Sequence, residues 1–289
     1  MGAIVGAALV SHIPRLMMPW EKLREYASSQ MTSFFDAYKK MYEERIRDIE
    51  FDTFVIFDTH WLSLTNFVID GRVYHKGFYT SDEVPNMISD YHFSYKGDSH
   101  LAADIHECAT RMNIPTIFTN LVSLPYHYAT LVPMHFLNRG KKHRVLPMSV
   151  AYTSSIEDEL GYGQAIKEAI LKSDKKVVLV ASGGLSHKFL PMNELQDKNK
   201  ASKDINNIFE SNRREDQCML ELLRSGEHAW VISNTKRYRQ YNFPEGRFAH
   251  YLRLVGALDG EKCKIPAVQY GDYEAAVGTG QVNLWFDVS

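Results

Sequence analysis

The sequence predicts an α/β fold: a single domain, residues 1–289, built on a central, mostly parallel or mixed sheet flanked by helices. Three observations predict it. Short apolar runs of strand character alternate with longer segments whose apolar residues recur three or four positions apart, the order expected of strand–helix–strand units. Three of the apolar runs end alike, in small or polar residues followed by a histidine. With 289 residues and 45% apolar content, the chain can bury a full core as one large domain or two smaller ones, and no internal repeat or clear linker divides it.

Residues 4–10, "IVGAALV", read as a short buried strand that Ser11, His12, Ile13 and Pro14 break. Pro19 introduces a long helix. In it Leu23, Met31, Phe34, Phe35, Tyr38, Met41, Tyr42, Ile46 and Ile49 form the packing stripe, while Lys39, Lys40, Glu43, Glu44, Arg45 and Arg47 supply the wet face. "TFVIFDTHWLS" is the second strand, and "NFVIDGRVYHKGFYTSD" carries a turn signal at Asp70-Gly71 between two strand-like runs. A helix over 101–113 leads to the strand "IPTIFTN". "HYATLVPMHFL" reads as a helix interrupted at Pro133, and "RVLPMSVAY" as the next strand. A helix over 163–173 precedes "KKVVLVASGGLSH", whose Ser182, Gly183 and Gly184 open a tight turn. The charged stretch "PMNELQDKNKASKD" lacks apolar periodicity and reads as a solvent-facing loop or lid. A helix over 206–224, another after Gly246, and the closing loop and strand "GTGQVNLWFDV" complete the chain.

Charge and composition narrow the partners. A formal net charge of -2 gives no general pull toward nucleic acid. Cys108, Cys218 and Cys263 lie far apart, form no CxxC pair and suggest neither a disulfide framework nor a thiolate metal cluster, so the expected location is cytoplasmic. The opening "MGAIVGAALVSHIPRL" lacks a basic leader and is too short for a membrane span; after Gly2 it reads as a core strand, not a lipidation signal.

Ligands of open α/β proteins sit beyond the carboxyl ends of the strands. His12, His60 and His187 each follow or end a strand run, so three weak signals point into one crevice. Two imidazoles and one carboxylate that leave coordination positions open suit non-haem Fe(II), although zinc accepts the same ligand types. Glu245, between Pro244 and Gly246, is the leading carboxylate and Asp58 its competitor. Two residues before His60, Asp58 is also placed to orient that histidine.

"SHIPRL", "FDTHW", "TLVPM", "ASGGLSH" and "GTGQVN", in this order and at these intervals, resemble the class III extradiol ring-cleaving dioxygenases, the superfamily of the protocatechuate 4,5-dioxygenase beta chain. The resemblance covers essentially the whole chain. "GFYTSDEVP", "ATLVPM" and "LVASGGLSHKF" echo the branch acting on 3,4-dihydroxyphenylacetate. It implies Fe(II) held by His12, His60 and Glu245, with His187 as the active-site acid/base and Tyr128 as a second catalytic group. Ala129 stands where relatives carry a glycine after that position. The implied reaction takes a small aromatic diol and O₂ to a hydroxymuconic semialdehyde, cutting the ring beside the diol. Arg15 and Arg247, close in sequence to the implied ligands, are the candidates to meet a substrate carboxylate. 2-Aminophenol or a bulkier catechol is the alternative substrate, and a non-enzymatic metal or interaction protein of the same fold the more distant alternative. The family further implies a homo-oligomer, with a second subunit type in some relatives.

Overall fold

The computed structural model describes residues 1–18, 31–193, 201–202 and 208–288. Strands β1 (Ala3–Val10), β2 (Thr53–Ser63), β3 (Phe67–Asp70), β6 (Thr116–Thr119), β7 (Arg144–Ala151), β8 (Lys176–Ser182), β9 (Ala201–Ser202), β10 (Ala267–Ala276) and β11 (Thr279–Phe286) form a nine-stranded sheet in the order β6-β3-β7-β2-β8-β1-β11-β10-β9. Its centre is parallel, with β2 against β7 and β8, and β8 against β1. The β11 and β10 side is antiparallel, so the sheet is mixed, as expected.

Helices α1 (Met31–Met41), α2 (Ser99–Arg111), α3 (Tyr128–Leu137), α4 (Ile156–Lys172), α5 (Glu210–Arg224), α6 (His228–Asn242) and α7 (Ala249–Ala257) cover the sheet. Period-two alternation sorts the central strands between two cores. Ala7, Leu9, Val55, Phe57, Val177, Leu179 and Ala181 pack with residues of α2, α4, α5, α6 and α7. Ala8, Val10, Phe54, Ile56, Val178 and Val180 pack on the other side with residues of α1 and α3. Both faces of the central strands are therefore apolar, which is why they read as continuous hydrophobic runs.

Several elements depart from the sequence expectations. Asp70-Gly71 does turn the chain, but the runs on either side do not pair with each other. β3 joins the large sheet, whereas β4 (Tyr74–Tyr79) pairs with β5 (Tyr91–Lys96) in a separate antiparallel hairpin. The Asp70 carboxylate accepts from the Arg72 backbone and guanidinium, closing the turn and leading the chain out of the sheet. α3 runs through Pro133 without interruption. A proline removes the N–H that would bond Ala129 O, and the Ser182 hydroxyl donates to that carbonyl instead, at 2.5 Å. α4 begins at Ile156, earlier than expected, because Ser155 and Asp158 form a reciprocal capping box. The early part of the expected long helix, with Leu23, lies outside the described residues, as do residues 194–200 and 203–204 of the expected loop or lid.

Candidate metal centre and active site

β1, β2 and β8 are neighbours and parallel, so their carboxyl ends open at one place. His12 follows β1, His60 lies near the end of β2, and the turn after β8 carries Gly184 and His187. Glu245 enters from the other side, on a 3-10 turn (Glu245–Phe248) between α6 and α7. His12, His60 and Glu245 each offer one ligand atom within 4.8 Å of the other two. His12 Nε2 stands 2.9 Å and His60 Nε2 3.5 Å from Glu245 Oε1. Cis ligands bonded at about 2.1 Å to one metal lie about 3 Å apart, so these separations fit one ion on one face of the triad.

Each ligand is held from behind. Ser182 has one hydroxyl proton and gives it to Ala129 O; it therefore accepts from His12 Nδ1–H at 3.0 Å. That bond fixes the tautomer and leaves the Nε2 lone pair facing the site. Glu245 Oε2 accepts from Gly184 N at 2.5 Å, and Oε1 from the Thr59 hydroxyl at 2.7 Å. Burial opposes the charge on Glu245, yet His12, His187 and His60 hold its pKa well below the usual range, so it is an anion.

Asp58 is not a ligand. Its Oδ1 accepts from the backbone N–H groups of His60 and Trp61, each at 2.9 Å, and its Oδ2 from Thr130 Oγ1 at 2.6 Å. It braces the place where the β2–β7 register shifts, between Asp58 and Leu62, and so holds the His60 backbone instead of its ring. The change of character at the end of β2 thus supplies a ligand, His60, and the clamp that sets it.

His187 brings Nδ1 to 3.8 Å from Glu245 Oε2. Burial lowers its pKa, so the imidazole is neutral near pH 7. The Tyr128 ring packs 4.1 Å from that of His60, centroid to centroid, and its hydroxyl donates to Glu83 Oε2 at 3.0 Å. Burial and the nearby Glu83 and Glu245 raise the Tyr128 pKa, so the phenol keeps its proton. Five sequence candidates therefore converge here: His12, His60, Glu245, His187 and Tyr128. Arg15 is buried in the 3-10 turn Pro14–Met17, beyond His12. Arg247 is exposed, with its guanidinium 5.7 Å from the centre of the Tyr152 ring.

Glu83 escaped the sequence reading as a functional residue. Besides Tyr128 it faces His60, with Oε1 3.5 Å from Nδ1. Burial disfavours the charged form of His60, but Glu83, Glu245 and Asp58 outweigh it and raise the pKa. The available signal was its place in "GFYTSDEVP", a segment with family character and no metal-ligand spacing.

Residues 6–286 match the model of the family described as the catalytic LigB subunit of aromatic ring-opening dioxygenase. The chain is 29% identical over 264 residues to a 3,4-dihydroxyphenylacetate 2,3-dioxygenase of Escherichia coli, covering 91% of this chain and 92% of that protein. It is 23% identical over 291 residues to a 2-aminophenol 1,6-dioxygenase beta subunit of a Pseudomonas species, covering 96% and 92% respectively. An uncharacterized Escherichia coli K12 protein of known crystal structure shares the fold, with a TM-score of 0.65 at 12% identity over 97% of this chain and 99% of that one. A two-histidine, one-carboxylate site at the strand ends and a family match spanning nearly every residue lead to one assignment: the chain belongs to the class III extradiol dioxygenases of the LigB type.

Proposed function

We propose that this extradiol dioxygenase opens the ring of 3,4-dihydroxyphenylacetate, with His187 as acid/base and Tyr128 as hydrogen-bond donor. The observation that carries the assignment of roles is the approach of a neutral, half-buried imidazole and a protonated phenol to the His12, His60 and Glu245 cluster. The donor set fits Fe(II), whose chemistry when bound is to bring a chelating diol and O₂ into electronic communication that their spin states otherwise oppose.

The remaining work falls to the chain. Neutral His187 accepts a proton from the diol as it binds and returns one as the ring opens, both within reach of the same crevice. Tyr128 cannot ionise near neutral pH and so serves as a donor, orienting an oxygen of the substrate. The Tyr128 hydroxyl donates to Glu83 Oε2, so a substrate oxygen that takes this donor competes with Glu83 for it. Glu245 remains anionic and contributes its charge to cation binding.

The named substrate is supported by the similarity to the Escherichia coli enzyme across nine-tenths of both chains. The whole chain is proposed to act as one catalytic domain and to assemble with copies of itself, as the family resemblance implies; a second subunit type is the alternative. A cytoplasmic location is supported by three free cysteines. Among the described residues, no helix is long and apolar enough to cross a membrane. Oxygen uptake by Fe(II)-loaded protein with 3,4-dihydroxyphenylacetate tests the proposal, the product being identified by mass and by the position of the broken bond. A semialdehyde cut beside the diol is expected; cleavage between the hydroxyl-bearing carbons, or no uptake at full iron loading, rejects it.

A further inference from the structure

Asp216, on α5, is fully buried, and no part of the chemistry above uses it. Its carboxylate accepts four hydrogen bonds, all from neutral donors: Ser186 N at 3.2 Å, Ser186 Oγ at 2.6 Å, Tyr238 OH at 2.6 Å and Tyr273 OH at 2.7 Å. A buried carboxylate is expensive to desolvate, and apolar side chains could fill the same space at lower cost. Two of the four donors belong to the residue that immediately precedes His187.

The segment around Ser186 is laced on both sides. Glu245 N donates to Leu185 O at 3.0 Å and His187 N to Asn242 O at 3.2 Å, tying the turn to the stretch that carries Glu245. Leu185 N donates to Gly280 O at 2.8 Å and Gly280 N to Ser186 O at 2.9 Å, tying it to β11. Gly280 is required for this approach: a Cβ there would lie 2.0 Å from Asp216 Oδ2 and 2.6 Å from Tyr273 OH. Gly280 of "GTGQVN" and Ser186 of "GGLSH", far apart in sequence, thus meet at one carboxylate.

We propose that Asp216 is a positioning residue for ring cleavage, fixing Ser186 by two bonds so that the His187 imidazole is held over Glu245. Asparagine would not replace it. Its amide offers one acceptor oxygen and presents N–H groups to hydroxyl donors, so the Ser186 bonds loosen. The proposal rests on the acid/base role of His187, and its test separates the two.

Asp216→Asn, His187→Phe and the double variant are compared in Fe(II)-loaded protein for kcat, KM and iron content. Amide hydrogen exchange over residues 183–188 is followed in parallel. Asp216→Asn should lower kcat by about tenfold to about 100-fold with KM and iron content near wild type, because small displacements of a catalytic group carry costs of that size. Exchange over 183–188 should quicken. In the His187→Phe background the same substitution should change kcat by less than about twofold, since there is no imidazole left to place. An undiminished loss in that background, or wild-type kcat in folded Asp216→Asn, overturns the proposal. Wild-type turnover in His187→Phe overturns the acid/base role itself, a separate result. Tyr273→Phe, which removes one donor from a half-buried side chain, repeats the cycle if Asp216→Asn fails to fold. Its expected loss is severalfold, likewise abolished without His187.

Discussion

At His12 the identity of the metal-facing nitrogen follows from a proton count. Ser182 spends its only hydroxyl proton on Ala129 O, a carbonyl that Pro133 leaves without its helical partner, and so it must accept from His12 Nδ1. Ser182→Ala should weaken Fe(II) binding by about tenfold to about 100-fold in an anaerobic titration, the usual cost of losing the group behind a ligand. Unchanged affinity would refute the tautomer argument. His60→Ala removes a ligand outright and should leave the protein largely without iron under the same titration. Residues of this kind differ in how visible they are in sequence. His12, His60 and Glu245 carry chemistry in their side chains and stand at strand ends or beside Pro and Gly, so they were legible. Ser182, Glu83 and Asp216 have ordinary side chains whose roles are created by what lies opposite, 53, 45 and 30 residues away from their partners Ala129, Tyr128 and Ser186. Asp216 also makes a pH prediction. Burial pushes its pKa from 3.8 up to about 6, against the pull of its bonds from Ser186, Tyr238 and Tyr273. Because the folded value is the higher one, its contribution to stability is fully present below pH 3.8 and is lost as pH rises through about 6. Relative to Asp216→Asn, the unfolding free energy of the wild type should fall across that window by on the order of 3 kcal/mol. Urea unfolding of both proteins at several pH values tests this, and parallel curves would count against it.

Among the elements, α4 and α7 cross at a pair of glycines. A Cβ on Gly163 would meet Arg253 O at 2.3 Å and Ala257 N at 2.6 Å; one on Gly256 would meet Leu160 O at 2.5 Å. Backbone stands against backbone, so neither helix can yield by turning a side chain. Beside this crossing the buried Arg253 guanidinium bonds Glu159 Oε2 at 2.8 Å and Ser149 O at 2.8 Å, joining both helices to β7. Gly163→Ala should therefore destabilise the fold despite the better helix propensity of alanine, by roughly 1–3 kcal/mol as an overpacked core does, measured by the urea midpoint. An increase in stability would show that the crossing is loose. Why some elements were legible and others were not is a matter of which residues face inward. The strands β1, β2 and β8 are apolar on both faces and could be read directly. α6 was missed because its buried positions are His228, Val231, Ile232, Thr235, Tyr238 and Asn242: the spacing is helical, but half the residues are polar. β10 was missed because the pairing shifts between Tyr270 and Glu274, with Gly271 at φ 75°, which breaks the alternation.

At the scale of the whole molecule, the parallel centre of the sheet places three strand ends side by side, and the ligand arriving from beyond α6 closes the site against them. In this arrangement Glu83 and Glu245 both face His60, and the charge of a divalent cation held by the triad would offset theirs. The overall charge of -2 supplies no long-range attraction for an anionic substrate, so a specific contact to a ring carboxylate calls for a local cation. Arg15 lies three residues after one ligand and Arg247 two residues after another, which makes them the two candidates to test. Neutralising the true anchor, by Arg15→Gln or Arg247→Gln, should raise KM for 3,4-dihydroxyphenylacetate by about tenfold to about 100-fold, the worth of a charge-assisted hydrogen bond. KM for a neutral alkylcatechol should move by less than about threefold, because that substrate loses no such contact, and kcat on either should hold if the contact is the same in the ground and transition states. Steady-state oxygen uptake on both substrates, with protocatechuate and 2-aminophenol alongside, decides the matter. Equal shifts in KM for the acid and the neutral catechol would remove that arginine as the anchor. A wild-type preference for the neutral catechol or for 2-aminophenol would replace the named substrate while leaving the His12, His60 and Glu245 centre in place.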